Sequence, residues 1–472
     1  MARKMSVVQL TMLTTVNMLG SGIVMLPTRL AEVGGISIVS WLITATGSLA
    51  LAYAFARCGM LSRKTGGMGG YAEYTFGKSG NYITNYTYGL SLLIANVAIS
   101  ITAVGYIQTL FAIKLDTPQV GLAAIALLWI TTFANFGGAR ITGRIGSVTV
   151  WGVIAPVVLV STIGWFWFDG NVYASGWNPH DKAWYEAAGA SVAITLWAFL
   201  GLESACANGD AVENPERNVP IAVLGGTLGA AVIYIASTNV IAGLVSNAEL
   251  VRSTAPFGLV FARMFTPVIG DIVMGLMVLA CIGSLLGWQF TVAQVFKSSA
   301  DTGYFLPIFA RANTRGVPIV GMLVLLALQT VMALLTISPD LARQFDTLVN
   351  LAVVINLVPY ILSMATLMTL QDVSGVPARK ALVTNIVAGI AAAYSYLALY
   401  SAGAQALMLG GVATIVGYTL FGFVNARLIR LEAVNNSVPT QTVAAQHIVG
   451  EVVPVNDLPA KCLKTTRTES QS

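Results

Sequence analysis

The sequence predicts an all-α membrane protein, and three observations predict it. First, only 10% of the 472 residues are charged and 56% are hydrophobic, with a mean hydropathy of +0.76. A soluble domain carries about 25% charged residues, so most of this chain has to lie in lipid. Second, apolar stretches long enough to cross a bilayer, about 20 residues each, recur along its length. Third, the basic residues crowd onto the loops of one side. The formal charge of +5 follows from that asymmetry, and no nucleic-acid partner is expected.

Taken in order, twelve segments meet the length and apolarity required, at roughly 7–32, 36–58, 81–112, 118–137, 145–168, 187–208, 219–245, 268–297, 317–337, 345–370, 382–400 and 404–427. MARK leads straight into the first segment with no small-residue cleavage pattern, so that segment is expected to stay as a helix. With both termini on the inner side, Arg29, Lys114, Lys182, Arg252, Arg263 and Arg343 are the only Lys and Arg of 25 that fall outside. Such a bias fixes the orientation and an even number of crossings. The 46 glycines suit helices that pack closely in a membrane. No connecting loop is long enough for a domain, so residues 1–430 are expected to form one twelve-helix bundle. The polar stretch 431–472 reads as a disordered cytoplasmic tail.

The chemistry of an enzyme is not expected. HExxH, GxSxG and paired acidic motifs are absent from the segments. AEYTFGKS (Ala72–Ser79) ends like a phosphate-binding loop, but Ala72 stands where the first glycine is required and no strand precedes it. The preceding GGMGGY reads as an inner loop that moves between states. Cys58, Cys206, Cys281 and Cys462 form no CxxC pair, so neither a disulfide nor a metal is expected. His180 and His447 fall in an outer loop and the tail. No cofactor is called for.

Two segments are interrupted. The first contains NMLGSGIVMLP (Asn17–Pro27), in which Gly20, Ser21 and Gly22 break a good helical pattern. The sixth contains TLWAFLGLESACAN (Thr195–Asn208), in which Gly201 is followed by Glu203. Alone, a Gly-Ser-Gly is equally a packing surface, and a Glu late in its segment can snorkel to the interface. Together the breaks occupy corresponding places if segments 1–5 and 6–10 are inverted halves, the pattern that points to a transporter's binding site. Unwound backbone is tolerated at membrane depth only where it lines a cavity or is buried in protein.

A carboxylate at mid-membrane costs about 3 kcal/mol. No Lys or Arg is expected inside a neighbouring segment, so the missing cation is a proton or the substrate. Glu203 is therefore read as a site for an ammonium group. Trp197, earlier on the same segment, and Trp288, midway along the eighth, suit that ligand. An indole face attracts an organic cation by about 0.5–2 kcal/mol and also covers a methylene chain. The alternative for each Trp is an interface belt or simple packing.

These residues carry a resemblance. GSG in the first segment, GLES in the sixth and ENPERNVPIA (Glu213–Ala222) resemble the amino acid–polyamine–organocation superfamily, and within it the basic amino acid/polyamine antiporters. The likeness covers about residues 5 to 427. RKTGGMGGYAEYTFGKSGNYITNYTYGLSLLIANVAIS and WAFLGLESACAN look most like the putrescine–ornithine exchanging branch; lysine–cadaverine and arginine–agmatine exchangers look more distant. The resemblance implies a LeuT-like 5+5 inverted-repeat fold, with repeats at about 7–168 and 187–370, two further helices at about 382–427, and alternating access. It also implies a multi-pass protein of the bacterial inner membrane, and it allows a homodimer.

Site roles come from the same resemblance. It implies that Ser21 and Gly22 hold an α-carboxylate with backbone amides, and that Asn17 and Asn96 face the same cavity. Trp197 would close over substrate from outside, and Trp288 would lie beneath its aliphatic chain. Tyr88, Glu203 and Tyr360 would form a gating cluster. Phe421 departs from the Tyr expected there, so no side chain of the twelfth segment receives a role. The expected partners are putrescine and ornithine, protons on Glu203 as a coupling option, and membrane lipid. A channel is the rival from another class, and counter-substrate stimulation of flux separates the two.

Overall fold

The computed structural model describes residues 6–64, 66–203, 214–314, 316–337 and 341–437, and every regular element among them is a helix. Asn17 and Ser21 have described backbones only. The side chains of those two, Glu213, Cys206, Cys462, His447 and the tail beyond Ser437 lie outside the described residues. The chain divides into two compact units, Met1–Asn425 and Ala426–Ser472; the site below belongs to the first.

In chain order, α1 (Val7–Met18) is followed by a 3-10 turn at Ser21–Ile23 and by α2 (Leu26–Ala31). Next come α3 (Ser37–Leu61), α4 (Met68–Leu110), α5 (Thr117–Asn135), α6 (Ala139–Thr149), α7 (Trp151–Ile163), α8 (Gly170–Ser175) and α9 (Trp184–Trp197). The chain continues with α10 (Pro215–Leu244), α11 (Asn247–Leu250), α12 (Pro256–Met264), α13 (Pro267–Asp301) and α14 (Ile319–Leu335). It ends with α15 (Leu341–Val373), α16 (Ala378–Ser401) and α17 (Gly403–Ser437).

Nine helices among the described residues are long and apolar enough to cross a membrane. The expected segments at 7–32, 187–208 and 317–337 are not among them. The first two stop partway, at Met18 and Trp197, and α14 has only 17 residues. The chain is a multi-pass membrane protein. Its middle is α4, whose most apolar window is 89% buried, against 17% for α17 at the periphery. The main partners of α4 are α15 and α13; α1 packs on α10, α3 on α9 and α10, and α13 on α6 and α7.

Local sequence explains several boundaries. Asp116 and Gln119 cap α5 reciprocally: the Gln119 amide donates to the Asp116 carboxylate at 2.9 Å, and the Asp116 amide donates to Gln119 Oε1 at 3.0 Å. The GGMGGY stretch differs from the loop expected of it. Gly66 and Gly67 make the turn, with φ of 97° and 58°, and Met68 already begins α4. The helix then bends at Gly77 (φ 61°, ψ −154°), a conformation only glycine adopts freely. A Cβ on Gly69 would lie 2.4 Å from Asn85 Nδ2, so the first part of α4 packs tightly against a later turn of the same helix. Spacing alone suggested a loop because the glycines outweigh the helix formers; the burial of Met68, Gly70 and Tyr71 supplies what propensity lacks.

Candidate functional site

The two breaks meet. After Trp197 the backbone runs on in i to i+3 bonds, with Phe199 N donating to Leu196 O at 2.8 Å and Leu202 N to Phe199 O at 3.2 Å. Gly201 then turns with φ 108°. A Cβ on Gly22 would lie 3.5 Å from Ala198 Cα and 3.7 Å from Trp197 Nε1, so the first interruption rests directly on the second.

Breaking two helices frees carbonyls that lipid cannot satisfy. Tyr234 on α10 places its hydroxyl 2.7 Å from Met18 O and 2.9 Å from Ala198 O, one carbonyl from each break. Tyr106 on α4 donates to Val24 O at 3.0 Å. Sequence reading missed both tyrosines, because nothing local sets them apart from packing aromatics.

Beside the breaks lies a small cavity, bordered by Gly22, Trp197, Gly201, Glu203, Trp288 and Asn356 among others. Glu203 is 7% exposed. Its Oε1 accepts from Tyr88 at 3.0 Å; its Oε2 accepts from Tyr360 at 2.5 Å and from the Gly201 amide at 3.0 Å. Among the described residues, no Lys or Arg forms an ion pair with it. The site is thus a carboxylate held by three neutral donors, with two indoles on the same cavity, a composition suited to an organic cation.

The predicted residues divide accordingly. Gly22, Trp197, Glu203 and Trp288 border one cavity, and Tyr88 and Tyr360 sit on the carboxylate. Asn96 is fully buried on α4 beside Ala95, which borders the cavity, but does not border it itself; its amide has no hydrogen-bond partner. Trp288 also borders a second, larger space of about 470 Å³ between α6 and α13, so it belongs to the walls of two cavities.

Both ends of this column are tied by polar contacts. Toward α2, the Trp197 ring meets Phe345 edge-on, with centroids 6.4 Å apart. The next residue, Asp346, accepts from Arg29, which is 4% exposed and also donates to Glu32 at 2.7 Å and 2.6 Å. The expectation of no buried cation near the site is therefore corrected: Arg29 lies in α2. Its charge is met by two carboxylates, neither of them Glu203. Its position near a segment end made it read as a loop residue. Toward the other end, Asn85 donates to Asn81 at 3.0 Å, Asn81 to Glu73 at 2.8 Å, and Lys64 to Glu73 at 2.8 Å.

The amino acid permease family profile matches residues 5–428. The chain belongs to that family. This permease is 65% identical over 426 residues to the putrescine transporter PotE of Escherichia coli (strain K12), covering 90% of this chain and 97% of that one. It is 62% identical over 424 residues to the putrescine transporter PotE of Haemophilus influenzae, covering 90% and 98%. The cadaverine/lysine antiporter of Escherichia coli (strain K12) is 33% identical over 378 residues, covering 79% and 85%. The permease is thus a member of the amino acid–polyamine–organocation superfamily, whose matched relatives are named as carriers of small amines.

Proposed function

We propose that this permease exchanges putrescine for ornithine across the bacterial cytoplasmic membrane by alternating access. One observation carries the reading: Glu203, with no paired Lys or Arg among the described residues, faces a cavity with two indoles where two broken helices meet. Putrescine is a dication; ornithine has two ammonium groups and one carboxylate. Glu203 meets one ammonium, and Trp197 and Trp288 cover the methylene chain. Free amides after the first break, at Ser21 and Gly22, serve ornithine's carboxylate. Tyr88 and Tyr360 close the cavity with Glu203 on one side, and Trp197 on the other. Asn17 and Asn96 complete its polar wall once the cavity opens.

The proposed membrane arrangement has twelve crossings, both termini cytoplasmic, and repeats at about 7–168 and 187–370. Packing supports the repeat. α1 lies on α10 as α9 lies on α3, and α4 lies on α15 as α13 lies on α6 and α7. Each contact recurs five crossings later. Exchange follows if the empty carrier reorients more slowly than the loaded one, and one putrescine out for one ornithine in moves one positive charge outward.

Reconstitution in liposomes with radiolabelled putrescine tests this. Internal ornithine is expected to stimulate uptake, and Glu203→Gln and Trp288→Leu are each expected to lower it at least tenfold. Normal transport by both variants would remove the site assignment, and flux indifferent to counter-substrate would indicate a pore. A second reading, lysine–cadaverine exchange, draws on the antiporter relative at 33% identity. One methylene is worth only about 1–3 kcal/mol, so competition among ornithine, putrescine, lysine, cadaverine, arginine and agmatine decides between them. An imposed pH gradient tests Glu203 as a proton carrier.

A further inference from the structure

Among the side chains bordering the cavity, Glu203 alone does not match the three donors of an ammonium ion. A primary ammonium has three N–H donors, and a carboxylate offers about four acceptor positions. Three positions of Glu203 are already taken, by Tyr88, Tyr360 and the Gly201 amide. Indoles only donate. Besides Glu203, the side chains bordering the cavity that carry an oxygen are Ser91 and Asn356.

Ser91 decides which way the Asn356 amide faces. Its hydroxyl lies 2.8 Å from Tyr88 O and 3.0 Å from Asn356 Oδ1. One proton cannot serve both acceptors. If it goes to the nearer Tyr88 carbonyl, the Ser91 lone pairs face an amide oxygen, and buried Asn356 Nδ2 is left with only a weak contact to the Tyr360 hydroxyl. The oxygen and nitrogen of an amide are assigned from the surrounding network. Rotating the Asn356 amide by half a turn lets Nδ2 donate to Ser91 Oγ and leaves Oδ1 as the unpaired atom at the cavity, beside Tyr360. Asn356 is 1% exposed and precedes Tyr360 by one helical turn on α15, on the side of the cavity that holds Glu203.

We propose that Asn356 contacts the substrate, its side-chain oxygen accepting a hydrogen bond from the same alkylammonium group that Glu203 neutralises. This rests on the exchange reading and names a specificity element within it. Ser91 is the positioning residue that sets the amide's orientation. Any primary alkylammonium would be recognised there, whether it belongs to a diamine or to an amino acid side chain.

Equilibrium binding of putrescine and ornithine to the purified full-length permease tests the inference. Asn356→Leu is expected to raise both dissociation constants about tenfold or more, the loss of one hydrogen bond to a charged group. Asn356→Asp keeps an oxygen at the same place and adds charge, so it is expected to bind putrescine several-fold more tightly at pH 8. Equal binding by the wild type and both variants would overturn the inference. So would a loss confined to ornithine in both variants, which would place an amide N–H on the carboxylate instead. The Leu substitution is repeated in a Tyr360→Phe background: an effect that vanishes there means Asn356 only props Tyr360. If Asn356→Leu does not fold, the near-isosteric Asp variant still decides by the sign of its change. Wild-type protein that binds neither ligand would sink the exchange reading itself, a separate outcome.

Discussion

Replacing Tyr234 by Phe isolates the hydroxyl that serves both helix breaks. The ring itself should stay where it is, because its neighbours hold it by shape. Trp41 stacks on it at 5.5 Å and 26°, and Phe199 meets it edge-on at 5.4 Å and 89°. No cavity forms, so the cost is purely polar. Two buried carbonyls, Met18 O and Ala198 O, lose their shared donor. Since one proton serves them, the loss corresponds to one buried acceptor left unsatisfied, about 1–3 kcal/mol, and not to two. If that cost falls on the arrangement that shapes the cavity, the dissociation constant for putrescine rises about 5- to 150-fold. Thermal unfolding in detergent should show a lower midpoint. Quenching of tryptophan fluorescence reads binding, because Trp197 and Trp288 border the cavity. An unchanged midpoint together with unchanged affinity would mean that water serves the freed carbonyls, and the account of Tyr234 as their donor would be wrong.

Three further outcomes follow from the packing. Gly47→Ala should destabilise the bundle by about 1–3 kcal/mol or more, because its Cβ would fall 2.0 Å from Tyr394 Cγ. Gly143→Ala meets nothing within 4 Å and should stabilise α6 by up to about 1 kcal/mol; thermal midpoints moving in the same direction would refute the contrast. Asp346→Asn leaves Arg29 with Glu32 alone and weakens closure at that end. Removing one partner of a buried pair costs about 3–5 kcal/mol; Asp346 is partly exposed and Glu32 still pairs Arg29, so the loss falls below that range. Labelling of a cysteine placed at Leu92 by an impermeant thiol reagent from outside should rise about tenfold, and an unchanged rate would show that the ion pair closes nothing. Asp116→Ala removes the capping box of α5 at a cost of about 0.5–2 kcal/mol, read as a fall in midpoint with putrescine affinity unchanged.

The sequence made some of this legible and not the rest, for physical reasons. Apolar length locates long helices, so α3 and α10 stand where expected, whereas α4 starts at Met68, thirteen residues before the apolar stretch expected from 81. Both breaks were legible because Gly20, Gly22 and Gly201 disturb a periodic pattern, and Glu203 because a carboxylate is rare among apolar neighbours. Contacts between distant segments leave no such mark. Tyr234 looks like any aromatic in a membrane helix until two carbonyls are found beside it. Arg29 looked like a loop charge, because burial of a cation depends on Asp346, far along the chain. Asn356 stands in an ordinary polar position of α15; only the cavity distinguishes it from the other amides of the same helix.

The same long-range contacts bear on why exchange, and not simple uniport, fits the site. Glu203 belongs to the sixth-segment break, whereas Tyr88 is on α4 and Tyr360 on α15. In this conformation the hydrogen bonds between them tie the break to the two helices at the middle of the bundle. Without substrate, separating them would leave a desolvated carboxylate short of donors, a state that costs several kcal/mol in a dry interior. An arriving ammonium competes for the same oxygens and supplies the charge that the tyrosines lack. It therefore lowers the cost of releasing the tie as well as filling the cavity. On the proposed reading, the empty permease is held by its own site, and a cation in that site is the condition for movement. Tyr88→Phe and Tyr360→Phe together should then loosen the coupling, with putrescine efflux in the absence of external ornithine rising relative to exchange. Efflux that stays fully dependent on ornithine in the double variant would refute this role for the tyrosines.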